Sequence, residues 1–119
     1  MQQNQQDGEP VGTTFEEASL EVDRIRLALR NSYIVPFSYD PGLRRRLIDA
    51  MTVIAYCEPV AVAAQLRRVL QVLAEAPEGY AENGCINDTL ADAFLAVFAA
   101  FDERVVPPGG RAAPSANLQ

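Results

Sequence analysis

Two long apolar runs fill the middle of the chain, one starting at Leu43 and the other ending near Ala76, hinged at Glu58-Pro59. In the first, Met51-Thr52-Val53-Ile54-Ala55-Tyr56-Cys57 is hydrophobic almost all round. A surface helix keeps a polar face, so this one is expected at the centre of the fold. In the second, at about 100° per residue, Val62, Leu66, Val69, Leu70, Val72 and Leu73 fill one half of the helical wheel. Arg67, Arg68, Gln71 and Glu75 hold the other half. Pro59 falls at a first helical position, where its missing N–H does no harm. The pattern predicts a helical hairpin on which the remaining helices lie.

Upstream, Thr13 and Thr14 each stand three residues before a glutamate, Glu16 or Glu17, the spacing of a capping box. A helix is expected from about Phe15 to Asn31, with Phe15, Ala18, Val22, Ile25 and Leu29 as its packed seam. Leu20 and Leu27 lie on roughly the opposite side. Two apolar faces on one helix need two partners, so these leucines are the expected dimer interface; the plainer alternative is two isolated surface leucines.

Pro36 disfavours helix at Val35, and Tyr33-Ile34-Val35-Pro36-Phe37-Ser38-Tyr39 reads as an extended connector. Five of its seven residues are large and hydrophobic. Either it folds back as a plug on the bundle, or Tyr33, Ile34, Phe37 and Tyr39 present anchors to a partner protein. Asp40-Pro41-Gly42 caps and starts the next helix, whose first stripe is Leu43, Leu47, Ala50, Met51 and Ile54. Arg44, Arg45 and Arg46 follow that N-terminus, against the helix dipole. Pointing to three sides, they read as a solvated face, with pairing to acidic groups of a second subunit as the alternative.

Past Ala76, Pro77 to Ile86 reads as a turn-rich loop, and Asn87, Asp88 or Thr89 caps a last helix. Leu90, Phe94, Val97, Phe98, Phe101 and Val105 line one face of it. Three phenylalanines on a stripe suit an acyl pocket, but aromatics at helical spacing are more often plain core. The expected architecture is all-α: a small bundle of about four helices over residues 13–106, dimeric, with disordered tails at 1–12 and 107–119.

Composition narrows the function. The formal charge is −6, from 16 acidic and 10 basic residues. That weighs against nucleic acid and anionic membrane as partners, because both are bound through positive charge. All ten basic residues are arginine, and histidine is absent. Imidazole bases, His-ligated metals, Schiff-base lysines and P-loops are thereby excluded. Asp88 and Asp92 share a helix turn, but a di-metal carboxylate bundle would also want Glu-x-x-His. No cofactor and no enzymatic activity are expected. Cys57 reads as a small core residue and Cys85 as a partly exposed loop thiol, both reduced. The N-terminus has no signal-peptide pattern and no stretch suits a membrane span, so a cytoplasmic location is expected.

Surplus apolar positions and acidic charge together suggest a protein-binding module. Alternatives are a toxin-neutralising immunity protein, a structural component of a phage or secretion assembly, or a small acyl- or lipid-binding helical protein. The length, the Gln-rich acidic tail, the Arg-only basic set and the helical core ending at Pro107-Pro108-Gly109-Gly110 resemble the small quorum-sensing anti-activators of Pseudomonas. The likeness covers the whole chain and rests on no short motif, so no functional residue is carried over from it. It implies a homodimeric helical protein that binds the ligand-binding domain of a LuxR-type transcription factor and blocks that factor's dimerisation and DNA binding.

Overall fold

The computed structural model describes residues 14–105, the last of them by its backbone alone. Both expected tails, the Thr13 cap and the place of Val105 on its stripe lie outside the described residues. Four α-helices follow one another: α1 (Phe15–Leu29), α2 (Gly42–Tyr56), α3 (Val60–Glu75) and α4 (Asp88–Val105). Among the described residues there is no strand, only an isolated antiparallel bridge between Tyr80 and Ile86.

Thr14 supplies the predicted capping box. Its hydroxyl accepts from the Glu17 N–H at 3.0 Å, and the Glu17 carboxylate accepts from the Thr14 N–H at 3.0 Å. The α1 seam then buries Ala18, Val22, Ile25 and Leu29, with Phe15 packed beside them. α2 buries Leu43, Leu47, Ala50, Met51, Ile54 and Ala55, and α3 buries Ala63, Leu66, Leu70 and Leu73. Into these α4 sends Leu90, Phe94, Val97, Phe98 and Phe101, the rings of Phe94 and Phe98 stacked 6.3 Å apart. The aromatic stripe is core. Each fully buried side chain of this size contributes about 1.5–3 kcal/mol, which is why the seams, rather than helix propensity, hold the bundle.

Consecutive helices pack on one another, α1 on α2, α2 on α3 and α3 on α4. Ionic clamps tie α4 to the rest. Arg26 of α1 makes a two-pronged contact with Asp102 at 2.9 and 3.2 Å, its guanidinium lying over the Phe98 and Phe101 rings. Arg104 reaches Glu58 in the α2–α3 turn at 3.2 Å and lies over Phe15 and Phe101.

Several expectations need correction. Helix α1 stops at Leu29 rather than Asn31 and tightens into a 3-10 turn over Arg30–Tyr33. Pro59 is not the first helical residue: its ψ of 157° is extended, so it precedes the helix and its carbonyl accepts the Ala63 N–H at 2.8 Å. Val72 is 55% exposed, and the buried seam of α3 is Ala63, Leu66, Leu70 and Leu73, with Val62 and Val69 half-buried beside it. The two cysteines exchange environments. Cys57 ends α2 and points to solvent, whereas Cys85 is buried where its loop folds onto the bundle.

The arginine run is solvated in part: Arg45 and Arg46 are exposed as expected, whereas Arg44 is built into the fold. Arg44 donates to the carbonyls of Leu73 and Ala76 at 3.1 and 2.6 Å, neutralising the C-terminal end of α3, and pairs with Glu78 at 3.1 Å. Arg46 pairs with Glu21 of α1 at 2.8 Å, and that contact holds the Glu21 carboxyl below the usual range. Arg45, the most open of the three, pairs with Asp49 one helical turn on.

Candidate protein-contact surface

The two long connectors, 30–41 and 76–87, meet at the same end of the bundle and hold each other. The first is not extended. Asn31 gathers the N–H groups of Ile34 and Val35 on its carbonyl, at 3.1 and 2.7 Å, so the chain turns before Pro36 can straighten it. Phe37 then adopts φ +59°, the left-handed region that side chains with a Cβ rarely enter. Its N–H donates to the Gly84 carbonyl, and the Ile86 N–H donates to the Ser32 carbonyl at 3.1 Å, stitching connector to connector.

Gly84 is required here. At φ +82° a side chain would be strained, and a Cβ there would lie 2.8 Å from the Phe37 ring and 2.9 Å from Pro36 Cβ. Tyr80 packs edge-on against the same ring, centroids 5.0 Å apart. Tyr80 in turn donates its hydroxyl to the Tyr39 carbonyl at 3.2 Å. The α4 cap closes the assembly: Asn87 Oδ1 accepts the Leu90 N–H at 2.8 Å, while its amide donates to the carbonyls of Pro77 and Gly79.

The structure separates the four expected anchors. Phe37 and Ile34 stand 70% and 74% exposed. Tyr39 is 5% exposed, its ring against Phe94 and its hydroxyl donating to Glu78 at 3.2 Å, so it is a plug and not an anchor. Burial, with the Glu78 carboxylate beside it, pushes its phenol far above the ordinary tyrosine value. Tyr33 is half-buried, and its hydroxyl has no hydrogen-bond partner among the described residues. Burial, then the charge of Asp92, raises its phenol too. The plug account therefore holds for Tyr39, whereas Ile34 and Phe37 are left exposed.

Ile34 turns toward α1, where it lines a shallow concavity with Leu27, Arg30, Asn31 and Tyr33. Leu20 and Leu27 are 54% and 63% exposed, and Leu20 walls a groove between α1 and α2. Sequence reasoning missed Tyr80 and Gly84. The only trace of them is the pair of glycines in a turn-rich loop, which marks a special backbone without saying what leans on it.

Among the described residues, no three His, Cys, Asp or Glu groups gather as metal ligands, and no helix is long and apolar enough to cross a membrane. The geometry can bury apolar surface against another protein. Neither family models, nor curated proteins, nor solved structures give a match to this chain.

Proposed function

We propose that this chain is a non-enzymatic, protein-binding regulator that seizes its partner through Phe37 and Tyr80, flanked by Ile34. One observation carries the reading: a large apolar ring, 70% exposed, is fixed on a left-handed backbone. Such a conformation costs on the order of 1–3 kcal/mol and persists only where the surroundings impose it, commonly at functional positions. The Gly84 carbonyl and the Tyr80 ring impose it here. An anchor already held in place loses little conformational freedom on binding, so more of its burial energy becomes affinity.

The resemblance to the Pseudomonas anti-activators supplies the partner, a LuxR-type transcription factor. In that reading the chain covers an apolar surface on the factor's ligand-binding domain that its own dimerisation needs, and it works in the cytoplasm beside it. The acidic charge fits a regulator that avoids DNA itself. Titration calorimetry with such a ligand-binding domain tests both parts. Phe37→Ala should weaken binding by about thirtyfold, as loss of a hot spot of about 2 kcal/mol would, with unchanged far-UV circular dichroism. Unchanged affinity refutes the anchor. A factor that stays dimeric and DNA-competent in excess of the chain refutes the anti-activator role.

A further inference from the structure

At the tip of the second connector, Tyr80 to Ile86 folds back on itself. The Ala81 N–H donates to the Cys85 carbonyl at 2.8 Å, and the Gly84 N–H donates to the Ala81 carbonyl at 2.9 Å. Asn83 stands exposed in this turn, directly before the glycine. Its side-chain oxygen accepts the Cys85 N–H at 3.0 Å. Asparagine before glycine is the pairing most open to attack from within the chain. The nitrogen of the next residue reaches the side-chain carbonyl carbon through a small ring, and glycine has no Cβ to obstruct the approach. The other asparagines of the described residues are placed differently. Asn31 precedes Ser32, which is buried in the 3-10 turn, and Asn87 spends its amino group on the carbonyls of Pro77 and Gly79. Among the described residues, Asn83 alone combines a following glycine, access to water and an uncommitted amino group.

We propose that Asn83-Gly84 is a self-modifying site, at which conversion of the asparagine to isoaspartate unfastens Phe37. The Gly84 nitrogen gives up its proton and bonds to the Asn83 side-chain carbonyl carbon. The bond from that carbon to the amino group breaks, and ammonia leaves with the proton, closing a succinimide. Water then opens the imide. Cleavage on the side-chain side gives aspartate, and cleavage on the backbone side gives isoaspartate. One water is consumed and one ammonia released, with no other reactant. The Cys85 N–H already points at the oxygen on which negative charge collects during the attack, and so stabilises it. The bond from Gly84 to the Ala81 carbonyl acts the other way, because it holds the attacking N–H. The reaction therefore waits on local opening of the turn and runs as a slow clock. Isoaspartate lengthens the backbone by one carbon just before Gly84. That position has no slack, since even a Cβ on Gly84 would lie 2.8 Å from the Phe37 ring. The Gly84 carbonyl, which holds the Phe37 N–H, is carried out of register. The inference does not rest on the partner-binding reading, because the chemistry is the same whatever Phe37 touches.

Ageing the full chain in mildly alkaline heavy-oxygen water, followed by peptide mapping in a mass spectrometer, tests it. The same chain unfolded in urea gives the reference for the intrinsic reaction. The folded chain should convert at Asn83, taking up one labelled oxygen and yielding both acid products, while Asn31 and Asn87 stay amides. Asn83→Gln, whose imide needs a larger ring, should show no conversion at that position. In the separated isoaspartate form, hydrogen exchange at the Phe37 amide should speed by about tenfold, as loss of one hydrogen bond would cause. Far-UV circular dichroism should be unchanged. An Asn83 that is still an amide in the folded chain once the unfolded chain has fully converted overturns the proposal. So does conversion of Asn31 or Asn87 as fast as Asn83, or an isoaspartate form whose Phe37 amide exchanges as slowly as before. Affinity for a partner enters none of these readouts, so failure here and failure of the partner-binding reading are told apart.

Discussion

At the α2–α3 turn, Tyr56 and Val60 stand 89% and 85% exposed, further out than any large apolar side chain of the connector end. At the connector end, Phe37 and Tyr80 are less exposed, at 70% and 41%. The turn spends its tight contacts on polar groups, Glu58 on Arg104 with both side chains nearly buried, and leaves its apolar residues as single unheld projections. The connector end does the reverse. Its backbone bonds, its left-handed residue and its required glycine all converge on keeping two rings where water can reach them. Exposure by itself is ordinary for scattered apolar side chains. Exposure that the fold is strained to maintain is the ground on which a contact surface is proposed here.

The sharpest way to break this comparison is at Tyr39, which underlies the connector end as a core residue. Tyr39→Ala should cost about 3–5 kcal/mol of unfolding free energy, as truncations of buried aromatics do, whereas Tyr56→Ala should stay within about 0.5 kcal/mol. Urea denaturation of both decides it; equal losses would erase the distinction between the two ends.

Gly84→Ala comes next. Strain at its φ and the clash with the Phe37 ring should cost about 1–3 kcal/mol. The same change should weaken partner capture, because the ring must shift although no anchor has been removed. Full affinity in a destabilised variant would mean that Phe37 needs no fixed position.

The smallest effect is alkaline. The Tyr39 phenol is raised above its ordinary value near 10 by burial and by Glu78, so the folded state favours the neutral form. Its contribution is complete below about pH 10 and is lost as pH rises further, since the unfolded chain then releases the proton that the folded chain keeps. Unfolding free energy should fall above about pH 10, and Tyr39→Phe should flatten that fall. Tyr33 adds a decline in the same direction.

Much of this was readable beforehand for one reason: the helix period is local. The seam of α1, the Thr14 capping box, the hairpin of α2 and α3, the stripe of α4 and the exposed second face of Leu20 and Leu27 all follow from spacings of three, four and seven residues. Asp40 is displaced by one residue from its expected role: its carboxylate accepts the Gly42 N–H at 2.9 Å, but α2 opens at Gly42 and Pro41 holds the cap position. The candidate site was legible only in half. Ile34 and Phe37 are exposed, but Tyr39, two residues from Phe37 and equally hydrophobic, is core. Composition cannot rank them, because which ring faces inward depends on the turn that Asn31 closes and on the loop that arrives from the far side of α3.

What the chain's own pattern determined is the number of helices, their inner faces and the surplus of apolar positions, because each helix sorts its residues by an angle fixed along its own axis. Which surplus residues stay outside, that Cys85 is hidden and where Arg44 and Arg46 find their partners were decided only by tertiary packing. Contacts such as Phe37 with Gly84, Arg44 with Ala76 and Glu21 with Arg46 join residues far apart in sequence. No local period encodes them; they exist only once packing has brought the helix ends together.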